Sequence, residues 1–259
     1  MGVLNLTPDS FHKASRLDST ESAVSRAIEM VEQGADWIDI GGESTRPGAA
    51  AVTVEEEVSR VVPVVRAVRK SLPSTCISID TRRAAVASEA LDAGADMVND
   101  ISALSDTEMA GLVAQRSCPI CVMHMQGTPE DMQNDPSYED VVDDVRSSLG
   151  KAVSALQELG IDPSVIIADP GIGFGKTLEH NLSLLSSGRE VVPDEKMSLM
   201  WGVSRKSMFS NLLGRESTDN RLAGTLGVAA RAKDKGVDII RVHDVEEHAD
   251  MFAAMGALR

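Results

Sequence analysis

GADMVND, Gly94 to Asp100, is a glycine, a small linker and a short apolar run that ends in two polar residues, and it returns as GADWIDI at 34–40 and GVDIIRV at 236–242. In each copy the Gly stands where a helix stops, since a residue without a Cβ enters the left-handed conformation that closes a helix at little steric cost. The apolar run that follows has the length of a strand. Each copy therefore marks the junction between a helix and the strand after it. Five further apolar bursts of the same length lie elsewhere: MGVLNL at 1–6, CISID at 76–80, PICVMH at 119–124, VIIAD at 165–169 and MSLMWG at 197–202. That makes eight candidate strands, and they are near-continuous apolar runs, as parallel strands covered on both faces should be.

Helical periodicity fills the gaps. Val24, Ile28 and Val31 follow Asp18 and Glu21 as a capping pair, and Met109, Leu112 and Val113 follow Ser105 and Glu108. Pro63 interrupts a stripe of Val58, Val61, Val62 and Val65; the stripe continues past it, which predicts a kinked helix and not a broken one. No Pro/Ser-rich linker or low-complexity tract marks a boundary. Eight alternations of strand and helix in 259 residues predict an α/β fold, a (β/α)8 TIM barrel formed as a single domain over residues 1–259.

The chain is 42% hydrophobic and 25% charged with a net charge of −15, a balance that opposes non-specific binding to nucleic acid or an anionic membrane. Local clusters such as STRPG and SRKS still allow one basic pocket for a small anion. The N-terminus has no basic n-region or long apolar core, Leu6 stands where a myristoylation motif needs Ser or Thr, and no apolar run reaches the roughly 18 residues of a membrane span. A cytoplasmic location is the expectation. Cys76, Cys118 and Cys121 are an odd number, which argues against a disulfide framework. CPICVMH spaces Cys118, Cys121 and His124 three apart, but in a strand such residues face opposite sides, so a buried strand is favoured over a metal site.

In a barrel of this type chemistry gathers at the C-terminal ends of the strands. Those ends carry Asn5; Asp39 and GGESTRPG; Asp80; Asn99 and Asp100; His124 and MQGTP; Asp169; GVSRKS; and Arg241 with His243. One polar strand end is ordinary, as Asp or Asn often caps the next helix. Eight of them, mixing carboxylates, amides and cations, point to a substrate site. DPGIGFGKT, 169–177, imitates a phosphate-binding P-loop, but Pro170 replaces the first glycine and no Walker-type partner is evident, so ATP binding is not expected. Gly171, Gly173 and Gly175 are instead read as places where a flat ligand approaches the backbone.

In order along the chain, MGVLNLTPDSF, GGESTRPG, SIDT, NDIS, MHMQGTPEDMQNDPSY, ADPGIGFGKTLEHN, GVSRKS and RVHDV give the sequence a clear resemblance to the dihydropteroate synthase family of folate biosynthesis. The resemblance spans essentially the whole chain. It implies a pterin-binding barrel, a sulfonamide target, that joins 6-hydroxymethyl-7,8-dihydropterin diphosphate to p-aminobenzoate and releases pyrophosphate. By the same resemblance Asp80, Asn99, Asp169 and Lys206 hold the pterin edge, with Ile101 and Met123 as apolar walls and Gly202 beside them. Asn5, Arg241 and His243 match the diphosphate site, Asn5 also standing at the Mg2+ position. Thr45 and Arg46 lie near the diphosphate in the second loop. Phe11, Pro47 and Phe174 enclose the p-aminobenzoate ring, and Ser207 holds its carboxylate. The implied catalytic set is Lys206, Asp80, Asp169, Arg241 and His243, acting through dissociative loss of pyrophosphate. A homodimer is also implied.

The sequence departs from the family pattern in its first loop, where SFHKASR replaces a common Asp-Gly-Gly stretch, and it starts at its first strand where many relatives carry a short lead. Two rival readings share the barrel: a methyltetrahydrofolate-dependent corrinoid methyltransferase, and a catalytically inactive pterin-binding protein. The first has no evident need for STRPG, SRKS and RVH, which supply anchors for a diphosphate and a carboxylate.

Overall fold

The computed structural model describes residues 1–6, 16–44 and 52–258. Eight strands alternate with helices along the chain. They are β1 (Gly2–Asn5), α1 (Arg16–Glu32), β2 (Trp37–Gly41), α2 (Val54–Ser71), β3 (Cys76–Asp80), α3 (Ala84–Ala93), β4 (Met97–Asp100), α4 (Met109–Arg116), β5 (Ile120–Met123), α5 (Val141–Glu158), β6 (Ile166–Asp169), α6 (Leu178–Ser187), β7 (Ser198–Trp201), α7 (Met208–Leu213), α8 (Leu222–Ala229), β8 (Ile239–Ile240) and α9 (Val245–Ala257). The strands are parallel and ordered β1 to β8. The ring closes where the Val3 amide donates to the Val242 carbonyl at 2.9 Å and the Val242 amide to the Met1 carbonyl at 2.9 Å. This is the (β/α)8 barrel that the alternation predicts.

Two apolar layers hold it. The larger packs the outward faces of the strands against the helices, with Ile38, Ile40, Ile77, Ile79, Ile120 and Ile166 meeting Val61, Val65, Val86, Leu149 and Leu156. The smaller contains Met97, Cys121, Ile167 and Met200, with Met1, Trp37 and Ile239 packed on it. Strand alternation explains the separation, because neighbours along a strand face opposite sides. Cys121 is fully buried, and burial pushes its thiol well above the ordinary range, so it is a small core residue.

The helix junctions follow the repeats. Gly34, Gly94 and Gly236 all have positive φ, at 101°, 114° and 69°. Helix α2 runs unbroken through Pro63. Two predicted caps are corrected. Helix α1 begins at Arg16, so Asp18 lies inside it, and the cap before α4 is not the Ser105–Glu108 pair. Ser105 instead donates to the Ser102 hydroxyl, while Asp106 accepts the Glu108 amide at 3.0 Å and the Ala84 amide at 2.8 Å. One carboxylate thus serves two helix starts, a non-local arrangement that a local motif does not reveal.

Candidate active site

The register of the sheet sets Asn5 beside Gly41, Gly41 beside Asp80 and Asp80 beside Asn99, so four consecutive strands end in one row. Gly41 leaves room in that row, since a Cβ there would stand 3.3 Å from the Asp80 Cβ. On the far side of the ring Met123 is level with Asp169. Arg241 reaches across the barrel from β8. Its Nε donates to Asp39 Oδ2 at 2.5 Å and its Nη2 to Asp80 Oδ2 at 2.5 Å. Asn99 Nδ2 donates to the same Asp39 oxygen at 3.2 Å. Side chains from β2, β3, β4 and the end of β8 therefore form one polar cluster, buried at Asp39 and Asn99 and half-buried at Asp80 and Arg241.

Its electrostatics follow from burial. Asp80 is pushed up to about 7, chiefly by loss of water, with Arg241 opposing and Asp39 adding to the rise. Arg241 is held above its already high ordinary value: burial works against its charge, but the Asp39 and Asp80 carboxylates outweigh it. Asp169 is also raised by burial, although its Oδ1 accepts the Gly171 amide at 2.7 Å. Lys206 is lowered to about 8 by burial, with Asp169 opposing. Its Nζ stands 3.8 Å from the centre of the Phe174 ring, a cation–π contact. Buried Ile101 and Met123 supply apolar surface.

Asn5 Nδ2 lies 3.5 Å from His243 Nε2, which unites the two ends of the ring at β1 and β8. The other face of His243 is fixed by Ser204, whose Oγ accepts the His243 amide at 3.1 Å and lies 2.9 Å from Nδ1. Burial, with help from Arg241, lowers His243 to about 4, so its ring is neutral at pH 7. Gly202 sits at the end of β7, where a Cβ would be 3.6 Å from Asp169 Oδ2. Ser207 is exposed at the start of α7. Phe11, Thr45, Arg46 and Pro47 lie outside the described residues.

Three rim residues turn away from the site. Asp100 accepts the Ser102 amide, the Ser102 hydroxyl and the Leu104 amide, which makes it the brace of its own turn. Arg205 does not join a basic pocket with Lys206. It adopts a positive φ of 55° and pairs with Asp244 instead, its Nε donating to Oδ2 at 2.9 Å. His124 is buried beneath Lys176, whose Nζ lies 3.0 Å from His124 Nδ1 and donates to the Phe174 carbonyl at 2.9 Å.

The Gly171–Gly175 reading is also revised. All three glycines have positive φ, and a Cβ at Gly171 would fall 1.9 Å from the His124 carbonyl oxygen, one at Gly175 2.6 Å from that of Gln126. These two serve close packing of the β6–α6 loop on the β5–α5 loop. Only Gly173 borders the site, its missing Cβ leaving 3.1 Å to Lys206 Cδ. Sequence reasoning missed the tie from Ser204 to His243 and the burial of Lys176, and it named Asp39 as a polar strand end without giving it a role. The signal available for Asp39 was a carboxylate set inside the apolar run WIDI.

The described residues contain no group of three or more His, Cys, Asp or Glu able to hold a metal. Asn5 offers one amide oxygen at a strand end, which suits an ion carried mostly by a diphosphate and water.

The family model for pterin binding enzymes matches residues 1–243. A dihydropteroate synthase from a Synechocystis strain is 44% identical over all of this chain and 89% of its own length. A probable bifunctional folylpolyglutamate synthase/dihydropteroate synthase from Haloferax volcanii is 46% identical over 96% of this chain, which spans 29% of that longer protein. Among solved structures, the Yersinia pestis dihydropteroate synthase in a sulfonamide complex superposes with a TM-score of 0.92 at 40% identity, covering 100% of this chain and 93% of that one. The Xanthomonas albilineans enzyme in complex with 7,8-dihydropteroate gives 0.89 at 35% identity, covering 100% and 92%. With a full-length sequence match and the same barrel, the chain belongs to the pterin-binding enzyme family, and within it to the dihydropteroate synthases.

Proposed function

We propose that the rim divides the dihydropteroate synthase reaction between a pterin pocket at β3, β4, β6 and β7 and a diphosphate pocket where β8 meets β1. The substrates are a dihydropterin diphosphate and p-aminobenzoate, a reading supported by the relative that holds 7,8-dihydropteroate. The observation that carries the division is Arg241, which reaches from the His243 side of the ring to Asp80 on the Asn99 side.

On this reading Asp80 and Asp169 accept from the amide and amino donors of the pterin edge, Asn99 accepts a further one, and Lys206 donates to a ring acceptor. Arg241 and His243 hold the diphosphate. Mg2+ would bind at Asn5 Oδ1 together with diphosphate oxygens and would supply charge neutralisation for the departing group. The bond between the pterin methylene carbon and the diphosphate oxygen breaks, and its electron pair leaves with pyrophosphate. The fixed carboxylates of Asp80 and Asp169 stabilise the methylene cation, since preorganised charges act strongly in a dry site. The aniline nitrogen of p-aminobenzoate then forms the new C–N bond and gives up a proton to solvent. A neutral aromatic amine is already a nucleophile, so the protein needs to position it rather than activate it. Phe174 and Ser207 would line that second pocket, together with Phe11 and Pro47.

Three free thiols and an acidic composition support a cytoplasmic setting. The test is release of pyrophosphate on mixing both substrates with Mg2+. Turnover that requires p-aminobenzoate supports the reading; pterin binding without pyrophosphate release would make the chain an inactive pterin-binding protein.

A further inference from the structure

Asp39 lies two residues short of the end of β2, fully buried, and is not one of the residues assigned above to either substrate. Its Oδ2 accepts from Arg241 Nε at 2.5 Å and from Asn99 Nδ2 at 3.2 Å, while its Oδ1 has no hydrogen-bond partner among the described residues. A buried carboxylate is costly to keep unless it does something that a neutral residue cannot. The contact with Arg241 shows what that is. Nε and Nη2 form the side-on edge of a guanidinium, the edge that ordinarily closes on both oxygens of one carboxylate. Here the edge is split: Nε goes to Asp39 and Nη2 to Asp80.

We infer that Asp39 is a positioning residue that holds Arg241 by Nε, so that the guanidinium cannot close side-on upon Asp80. Asp80 thereby keeps an oxygen for the pterin edge, and Arg241 keeps Nη1, which has no hydrogen bond among the described residues, for the diphosphate. Asn99 fixes the Asp39 carboxylate from β4, two strands away, so the hold does not depend on the ligand. This deepens the proposed division of the rim and rests on the role given there to Arg241.

Asp39 is an anion close to a site for an anion, so by charge alone Asp39→Asn should tighten binding of a pterin diphosphate. If Asp39 aims Arg241, the same change weakens it, because the freed guanidinium collapses onto Asp80 and blocks both pockets. A double-mutant cycle in the whole protein decides, with the affinity for a dihydropterin diphosphate and Mg2+ measured by calorimetry without p-aminobenzoate. Asp39→Asn should cost about 10-fold or more in the wild-type background and less than about twofold in an Arg241→Gln background, in line with contacting charged pairs. Tighter binding, no change, or an equal loss in both backgrounds would overturn it. Arg241→Gln alone tests the underlying assignment: if it leaves the affinity unchanged, the diphosphate role of Arg241 and this inference fall together. If Asp39→Asn does not fold, the wild-type protein still answers. An Arg241 Nε–H resonance shifted downfield and slow to exchange should persist when pyrophosphate and Mg2+ are added, and its loss on addition would refute a ligand-independent hold.

Discussion

Asp169→Asn isolates the pterin pocket from the rest of the reaction. Asp169 is 5% exposed, its Oδ1 accepts the Gly171 amide at 2.7 Å, and its Oδ2 has no hydrogen bond among the described residues. That fixes how an amide must sit there. The Gly171 N–H requires an acceptor, so the Asn oxygen takes the Oδ1 position and the NH2 group takes that of Oδ2, facing the ligand. Donors on the pterin edge then meet donors on the protein. A buried donor left without an acceptor costs about 1–3 kcal/mol, or roughly 5- to 150-fold in affinity. Stability should move the other way or not at all, because burial disfavours the native carboxylate and the amide carries no charge. Calorimetry with an unphosphorylated hydroxymethyl dihydropterin, beside a thermal unfolding curve, reads both quantities. Unchanged affinity would remove Asp169 from the pocket, and loss of affinity together with a large fall in Tm would reduce it to a structural brace.

Arg241→Ala should weaken a pterin diphosphate far more than the same pterin without its diphosphate; equal losses for both ligands would place Arg241 with the pterin instead. Lys206 gives the rate an alkaline limb. Its ammonium, lowered to about 8, is present below that pH and lost above it, so kcat/KM for the pterin diphosphate should fall about tenfold per unit beyond pH 8. Lys206→Arg keeps its charge and should move that limb past pH 10; an unmoved limb would assign it to another group. Lys176 sets a slope in stability. Burial lowers it to about 7, so between about pH 7 and its unfolded value the unfolded chain binds more protons than the native one, and stability from this group rises with pH. The stability advantage of wild type over Lys176→Met should therefore widen from pH 7 to pH 10, and a constant gap would refute the assignment.

What the sequence made legible was set by the range of the interactions. The strands could be read because a parallel strand covered on both faces needs apolar side chains at nearly every position, and CISID matches β3 residue for residue. The weakest reading is β8: only Ile239 and Ile240 are regular strand, and the ring is finished beyond them by backbone hydrogen bonds of Arg241 to Trp201 and of Val242 to Met1 and Val3. The site could be located by asking which polar residues end apolar runs, and that brings together Asn5, Asp80, Asn99, Asp169, Arg241 and His243. What each side chain does there could not be read. Arg241 and Asp39 are 202 positions apart, and Arg241 and Asp80 161. Nothing local distinguishes Asp100, which braces a turn, from Asp80, which pairs with Arg241. Nor does SRKS say that Arg205 turns out to Asp244 while Lys206 turns in.

The proposed division of the rim also accounts for a second carboxylate beside Arg241. A single Asp opposite Arg241 would satisfy both charges and leave the pair closed on itself, stable and useless for binding. Two carboxylates for one guanidinium leave acceptor capacity unspent: Asp39 Oδ1 has no hydrogen-bond partner among the described residues, and Asp80 has its pKa pushed up to about 7. That surplus is unfavourable to folding, since an unpaired buried acceptor costs about 1–3 kcal/mol. It is favourable to a ligand whose edge offers several donors and whose reactive methylene becomes cationic. On the proposed division of the rim, the excess negative charge would be relieved by the pterin and, further along the reaction, by its cation, which is the condition for binding the transition state more tightly than the ground state.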